Sequence, residues 1–132
     1  MKVVLAGAYG NLGADIFKAL LKAGHEVVAA DLVERDLGIT GNFAFKKLDV
    51  TKPESLKGLC EGADCVITTV GLTKTSATVT NYEIDYQGNV NLLNEAELPS
   101  SCMFDLSLIN VLERVHKKNK MRLLNTIVAY KR

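Results

Sequence analysis

The feature that most constrains this chain is a set of three glycines, Gly7, Gly10 and Gly13, spaced three residues apart near the amino terminus. An apolar, β-branched run at residues 2–6 precedes them, which is typical of a strand buried on both faces. Apolar residues three and four apart over residues 12–23 follow them and predict an amphipathic helix. A strand that passes through glycines into a helix predicts a βα unit and favours the α/β folds.

The rest of the chain predicts further alternation of strands and helices. Thr51 and Glu54 form a capping-box pattern with Pro53 in the first turn, and Gly88 lies inside a predicted helix as a site of close contact. The predicted strands cover residues 25–30, 43–48, 64–70 and 102–109, and the predicted helices cover residues 51–60 and 81–96. We therefore expect a doubly wound parallel sheet with strand order 3-2-1-4-5 and helices on both faces.

Beyond residue 99 the pattern is weaker. Residues 111–118 predict a helix, and residues 121–130 fit either a strand or a helix. A chain of 132 residues has the common size of one domain.

The three glycines also predict a pyrophosphate site. The first amides of a helix have no intrahelical acceptor, and the peptide dipoles add partial positive charge there. Gly7 would permit the tight turn, Gly10 would let the backbone approach the phosphates, and Gly13 would let the helix pack on the strand. The same loop contains three residues that can offer amides or cover the phosphates: Tyr9, Asn11 and Leu12.

Asp31 favours NAD over NADP as the cofactor. It lies 18 residues after Gly13, at the end of the second predicted strand, where its carboxylate can accept hydrogen bonds from a ribose diol. The same carboxylate would repel a 2′-phosphate. Arg35 and Lys2 are possible phosphate partners at no diagnostic spacing. The alternative for Asp31 is a carboxylate at a loop edge that faces water.

With these residues the chain resembles the short-chain dehydrogenase/reductase superfamily, most closely its atypical and extended branches. These branches include NAD-dependent epimerases and dehydratases and NAD(P)H-binding sensor proteins. The glycine-rich loop and the segments at residues 46–56, 64–71 and 81–96 resemble family motifs in the family order. The resemblance covers residues 1–96.

The resemblance implies a single Rossmann-type dinucleotide-binding domain over residues 1–132, with residues 97–132 as a divergent tail. It also implies places for two further groups of binding residues. Asp49 and Val50 would lie along the adenine ring. The group beside the nicotinamide ribose would be Thr69, Val70 and Gly71.

The catalytic residues of that family are not found in this sequence. The family uses a tyrosine with a lysine four residues later, and no tyrosine here has that neighbour; the four tyrosines are Tyr9, Tyr82, Tyr86 and Tyr130. Ser107 fits the family's serine position loosely, and the alternative is an exposed or helix-packed serine. The catalytic residues therefore stay unknown. Three functions remain open: an NAD(P)-dependent oxidoreductase or epimerase, a non-catalytic NAD(H)-sensing or interaction protein, and a truncated inactive domain.

Charge and composition indicate a small-molecule partner. A net charge of +1 without a basic block argues against nucleic acid and membrane surfaces, and no apolar run is long enough to span a bilayer. Cys60, Cys65 and Cys102 lack metal-ligand spacing, so we expect thiols, no metal site and a cytoplasmic location. A shortened fold would leave apolar surface uncovered, so we also expect a homo-oligomer.

Overall fold

The centre of the fold is a five-stranded parallel sheet. The computed structural model describes residues 1–71, 82–97 and 102–105. The strands are β1 (Lys2–Ala6), β2 (Glu26–Asp31), β3 (Phe43–Lys47), β4 (Cys65–Thr68) and β5 (Cys102–Asp105). They are ordered β3-β2-β1-β4-β5, and every neighbouring pair is parallel. The predicted fold class and strand order are confirmed.

Helices cover both faces of this sheet. They are α1 (Asn11–Lys22), α2 (Pro53–Leu56) and α3 (Asn89–Glu97), and a π-helical segment, Tyr82–Gly88, leads directly into α3. Because side chains alternate along a strand, β1 contributes to two separate apolar clusters. Val3 and Leu5 pack with Phe17 on the α1 face, whereas Val4 and Ala6 pack on the opposite face. Double burial of β1 explains its nearly continuous apolar sequence.

The carboxyl end of α1 is formed by a glycine. Gly24 has a φ of +83°, and its amide donates to the carbonyl of Leu21 at 3.0 Å. Glycine adopts this left-handed conformation without the steric cost that a Cβ brings. The reversal returns the chain to the sheet at β2.

The predicted capping box at the start of α2 is wrong. The residue that caps the helix is Lys52, and no side chain bonds to the helix amides there. The hydroxyl of Thr51 donates instead to Asp49 Oδ1 at 2.6 Å. The helix is also shorter than predicted, because Lys57 leaves helical geometry with a ψ of 122°.

The prediction of a close contact at Gly88 is confirmed. A Cβ at Gly88 would lie 2.6 Å from Val50 Cγ2. The helix predicted over residues 81–96 is present, but its first part is π-helical. A π-helical segment changes which side chains face the sheet, and a periodicity of 3.6 residues does not reveal it.

Several sequence predictions lie outside the described residues. They concern the loop at residues 72–80, Ser107, Tyr130 and the segments at residues 111–118 and 121–130. The fifth strand begins at Cys102, as predicted, and is described as far as Asp105.

Candidate functional site

The glycine-rich loop leaves β1 through a left-handed turn at Gly7. Gly7 has a φ of +79°, and its amide donates to the carbonyl of Ala30 in β2 at 2.8 Å. A Cβ at this position would lie 2.6 Å from Thr69 Oγ1. Gly7 is therefore required by its own conformation and by the close approach of the turn after β4.

Gly13 lies where the first turn of α1 crosses the loop. A Cβ on Gly13 would overlap the carbonyl oxygen of Gly7 and would lie 2.8 Å from the carbonyl carbon. Gly13 therefore permits the close packing of helix and loop that the sequence predicts.

Gly10 has no comparable structural requirement. Its φ of −72° and ψ of 172° are ordinary for any residue. Within the described residues, a Cβ there would meet only the carbonyl oxygen of Gly7, at the ordinary contact distance of 3.4 Å, and Gly10 is exposed. The packing of the described residues thus gives no reason for a glycine at this position.

The amino end of α1 is open to an incoming group. Gly10 supplies no side-chain cap, and the first turn has no acidic residue. In the described part of the chain, the amides of Asn11, Leu12 and Gly13 have no acceptor. These donors lie at the positive end of the helix dipole, where an anion is stabilised.

Asp31 lies at the end of β2 and contacts the same loop. Its Oδ2 accepts a hydrogen bond from the amide of Tyr9 at 2.9 Å, and its Oδ1 accepts one from the amide of Leu32 at 2.8 Å. Each carboxylate oxygen can accept more than one hydrogen bond. Asp31 therefore fixes the loop and keeps capacity to bind hydroxyl groups.

The side chains of Tyr9 and Leu12 point away from the helix mouth. Both belong to the apolar cluster on the α1 face, and Tyr9 is only 6% exposed. The Tyr9 ring packs edge-on against Phe17 and Phe45 with centroid distances of 6.0 Å. Of these two residues, Leu12 alone offers its amide at the helix mouth, because the amide of Tyr9 is bound by Asp31.

Asp49 follows β3 and is held in a tight turn. The hydroxyl of Thr51, which donates to Asp49 Oδ1, holds the pKa of the Asp49 carboxyl below its ordinary value. The amide of Thr51 and the nearby Lys52 ammonium, 3.8 Å from Oδ2, act in the same direction. Asp49 is therefore an ionised acceptor with a fixed orientation.

Val50 presents an amide next to that carboxylate. Its side chain is buried, and its carbonyl accepts a hydrogen bond from Asn91 Nδ2 at 3.0 Å. Its amide has no acceptor among residues 1–71, 82–97 and 102–105. A buried donor without a partner costs free energy unless a ligand or water binds it.

The turn after β4 contains the third predicted group. The Thr69 hydroxyl lies 3.0 Å from the carbonyl oxygen of Gly7 and 3.2 Å from that of Ala6, so it fastens this turn to the glycine-rich loop. Val70 is half-buried, and Gly71 is exposed.

These segments enclose one cleft at the carboxyl end of the sheet, with a volume of about 200 Å³. Eight of the predicted binding residues line it: Gly7, Gly10, Asp31, Asp49, Val50, Thr69, Val70 and Gly71. Three apolar residues that were not predicted also line it: Leu32, Leu48 and Ile84. The other four predicted residues, Tyr9, Asn11, Leu12 and Gly13, lie in the adjoining loop and helix turn.

Sequence reasoning missed two asparagines of α3 that hold the walls of this cleft. Asn89 is buried; its Oδ1 accepts from the Thr68 hydroxyl at 2.7 Å, and its Nδ2 donates to the Val70 carbonyl at 3.2 Å. Asn91 holds Val50 through the bond described above. The available signal was a polar residue at position 89, three residues before the buried Leu92 on one helix face.

The described residues contain neither a membrane-spanning helix nor a cluster of metal-binding side chains. No helix there is long and apolar enough to cross a membrane. No group of three or more histidine, cysteine, aspartate and glutamate side chains there is arranged to bind a metal ion.

Comparison with known families places this site in context. Residues 3–124 match the model of the NAD dependent epimerase/dehydratase family. Comparison with curated protein sequences gives no significant match.

Solved structures share the fold at low sequence identity. Uronate dehydrogenase from Agrobacterium tumefaciens, as a variant complexed with NAD, is 20% identical with a TM-score of 0.63, over 74% of this chain and 36% of that one. Serine dehydrogenase from Escherichia coli is 17% identical with a TM-score of 0.67, over 80% of this chain and 61% of that one. The Bordetella bronchiseptica enzyme WbmH in complex with NAD⁺ is 22% identical with a TM-score of 0.64, over 74% of this chain and 35% of that one. The chain thus spans less than two thirds of each of these proteins.

Proposed function

The chain belongs to the NAD dependent epimerase/dehydratase family, and from that membership and its cleft we propose that it binds NAD at the carboxyl edge of its sheet. Two of the similar structures contain NAD, which supports the proposal. NAD, when bound, supplies a hydride acceptor, and the protein supplies binding and orientation.

The open amino end of α1 carries this proposal. Asn11, Leu12 and Gly13 offer three amides that lack acceptors among the residues that the structure describes. Gly10 leaves their approach free, although its own conformation would accept any residue. A pyrophosphate fits these observations because it is anionic and needs close access to backbone amides.

Asp31 would bind the adenosine ribose. Its carboxylate oxygens hold the loop in place and can still accept hydrogen bonds from the ribose hydroxyls. The cation positions support NAD over NADP. Lys2 Nζ donates to the carbonyl of Glu61 at 3.3 Å, and Arg35 lines a different cleft, so neither residue lines the proposed binding cleft.

Asp49 and Val50 would bind the adenine. Adenine offers an amine donor beside a ring nitrogen acceptor. The Asp49 carboxylate is ionised and accepts hydrogen bonds, and the Val50 amide is a donor without a partner in the described chain. This adjacent acceptor and donor complement the adenine edge.

As the chemistry of this chain we propose that of an oxidoreductase or epimerase. The similar structures include two dehydrogenases, which supports hydride transfer. A second candidate, a non-catalytic NAD(H)-sensing or interaction protein, is favoured by one observation: no tyrosine in the sequence has a lysine four residues later. In the family that the chain resembles, the tyrosine of this pair acts as acid or base and the lysine assists it. No such pair is found in this sequence.

We extend the proposal to self-association and a cytoplasmic location. Tyr86 and Leu93 lie seven residues apart in the helical segment and are 56% and 40% exposed. Apolar side chains exposed together favour contact with another surface. Cys60 and Cys65 are buried and neither forms a disulfide, which is compatible with a reducing compartment. Light scattering across a concentration series would test the self-association.

Calorimetric titration with NAD, NADH, NADP and NADPH tests the proposed function. We expect saturable binding of NAD or NADH with weaker binding of the 2′-phosphorylated forms. A folded protein that binds none of the four would contradict the proposal. Assays with aldehydes, ketones and sugar nucleotides then separate the two candidate functions, because turnover favours an enzyme and binding without turnover favours a sensor.

A further inference from the structure

A second cleft lies beneath the connection between β2 and β3, on the α1 face of the sheet. Residues 32–42 form this connection without a helix, although a parallel crossover usually contains one. Leu37 and Ile39 pack against the apolar cluster from this connection and remain half-buried. The cleft that remains has a volume of about 380 Å³, which is sufficient for a small molecule.

The cleft wall contains a tyrosine whose hydroxyl has no partner in the described part of the chain. Tyr9 lines the cleft and is only 6% exposed, yet its hydroxyl has no hydrogen-bond partner among the described residues. Burial raises the pKa of Tyr9, and the next largest cause is the carboxylate of Glu34, which lines the same cleft. The Tyr9 hydroxyl and the Glu34 carboxylate therefore belong to one cleft, where each can bind a hydrogen-bonding group of an occupant.

The mouth of this cleft is more acidic than basic. Glu34, Arg35 and Asp36 line it, and no salt bridge joins these three residues in the described structure. Asp36 Oδ1 accepts the amide of Gly38 at 2.8 Å, whereas Glu34 has no bonded partner among the described residues. Two carboxylates beside one guanidinium favour a cationic group at the mouth.

The walls are aromatic. Phe17 and Phe43 line the cleft with Tyr9, and their rings meet edge to face with a centroid distance of 5.0 Å. Aromatic walls bind flat apolar rings, and their faces attract cations.

We propose that this cleft binds a small aromatic amine in its protonated form. Its ring would pack against Phe43, which the buried Phe17 supports from the core, and its ammonium group would bind the Tyr9 hydroxyl and the Glu34 carboxylate. The two clefts share no lining residue, although the bond from the Tyr9 amide to Asp31 joins their walls.

Titration of the ¹⁵N-labelled chain with phenethylamine, followed by amide chemical shifts, tests the site. We expect saturable shifts at residues 34–39 and Tyr9, with a Kd in the millimolar range or tighter. Phenylpropionate, which has a similar body and the opposite charge, should bind at least about tenfold more weakly. Equal binding of the two probes, or no saturation by phenethylamine, would overturn the proposal.

Two variants test the residues. Tyr9→Phe keeps the ring and removes the hydroxyl, and Glu34→Gln keeps the shape and removes the charge. Each should weaken phenethylamine binding about three- to tenfold, the size of one hydrogen bond or charge contact. Glu26→Gln, an exposed change outside the cleft, should leave the Kd unchanged. Unchanged affinity in both cleft variants, with the fold intact, would contradict the assignment.

Discussion

The Asp31 carboxylate holds the glycine-rich loop, because its Oδ2 accepts the amide of Tyr9 at 2.9 Å. The contact joins the end of β2 to the loop after β1. It also directs a negative charge into the cleft that contains Gly7 and Gly10. One side chain therefore orders the loop, and we propose that it also determines which ribose the cleft accepts.

Asp31→Ala should weaken NAD binding more than NADP binding. Removal of the carboxylate deletes acceptors for the ribose diol and also removes the repulsion of a 2′-phosphate. We expect a loss of about tenfold or more for NAD, as for hydrogen bonds to a charged group, and a smaller loss for NADP. Calorimetry with both nucleotides measures the ratio. Asp31→Asn is the control that keeps the shape and one acceptor oxygen. If Asp31→Ala lost more affinity for NADP than for NAD, the preference for NAD would be overturned.

Gly13→Ala should destabilise the fold severely, whereas Gly10→Ala should not. A Cβ at Gly13 would overlap the carbonyl of Gly7, so the helix and loop must separate. We expect a loss of about 3 kcal/mol in the free energy of unfolding, at the upper end of overpacking. At Gly10 the added methyl meets one atom at 3.4 Å, and we expect a change within about 0.5 kcal/mol. Urea unfolding followed by circular dichroism distinguishes the two, and equal losses would contradict the model of the loop.

The first βα unit could be predicted because it depends on local patterns, and the strand order could be predicted because alternating strands and helices with right-handed crossovers allow few parallel arrangements. The alternation of short apolar runs with helical spacing reports which faces are buried. The left-handed turns at Gly7 and Gly24 follow from the chemistry of glycine alone. Asp31 could be placed at the cleft because the end of β2 follows from the same pattern.

The details that escaped prediction depend on contacts distant in sequence. The Tyr9 ring points into the core because Phe17 and Phe45 provide aromatic partners there, 8 and 36 residues away in the chain. Asn89 and Asn91 bind carbonyls of Val70 and Val50, which no helical periodicity identifies. The capping box failed for a local reason, because Asp49, only two residues before Thr51, accepts its hydroxyl.

Gly88→Ala should destabilise the contact between α3 and the turn that holds Val50. The added Cβ would lie 2.6 Å from Val50 Cγ2 and 3.3 Å from the carbonyl oxygen of Glu83. We expect a loss of about 1–3 kcal/mol in the free energy of unfolding. Val50→Ala opens space at the clash, so the double variant should lose less than the sum of the single losses. A double-mutant cycle from urea unfolding measures the coupling, and strict additivity would show that the two positions do not meet.

Cys60 should make stability depend on alkaline pH. Burial raises the pKa of the Cys60 thiol from 9.0 to about 11, and the nearby Glu95 carboxylate adds to this effect. The folded state binds the thiol proton more tightly than the unfolded state, so stability is complete below pH 9.0 and falls toward pH 11. The slope from this group approaches about 1.4 kcal/mol per pH unit. Urea unfolding of the protein and of Cys60→Ala between pH 8 and 11 isolates it, and parallel profiles would disprove the assignment.

Gly10→Asp should separate stability from cofactor binding. Aspartate is a favourable residue at the start of a helix, and the φ of −72° and ψ of 172° at Gly10 suit it. The free energy of unfolding of the variant should therefore be unchanged or higher by about a few tenths of a kcal/mol. Its carboxylate would occupy the amides of Leu12 or Gly13 and repel a pyrophosphate, so NAD binding should be lost in calorimetry. Asn42→Asp adds the same charge at an exposed position outside the cleft and should bind NAD as the original chain does. If Gly10→Asp stayed folded and kept its NAD affinity, the open end of α1 would not be the phosphate site.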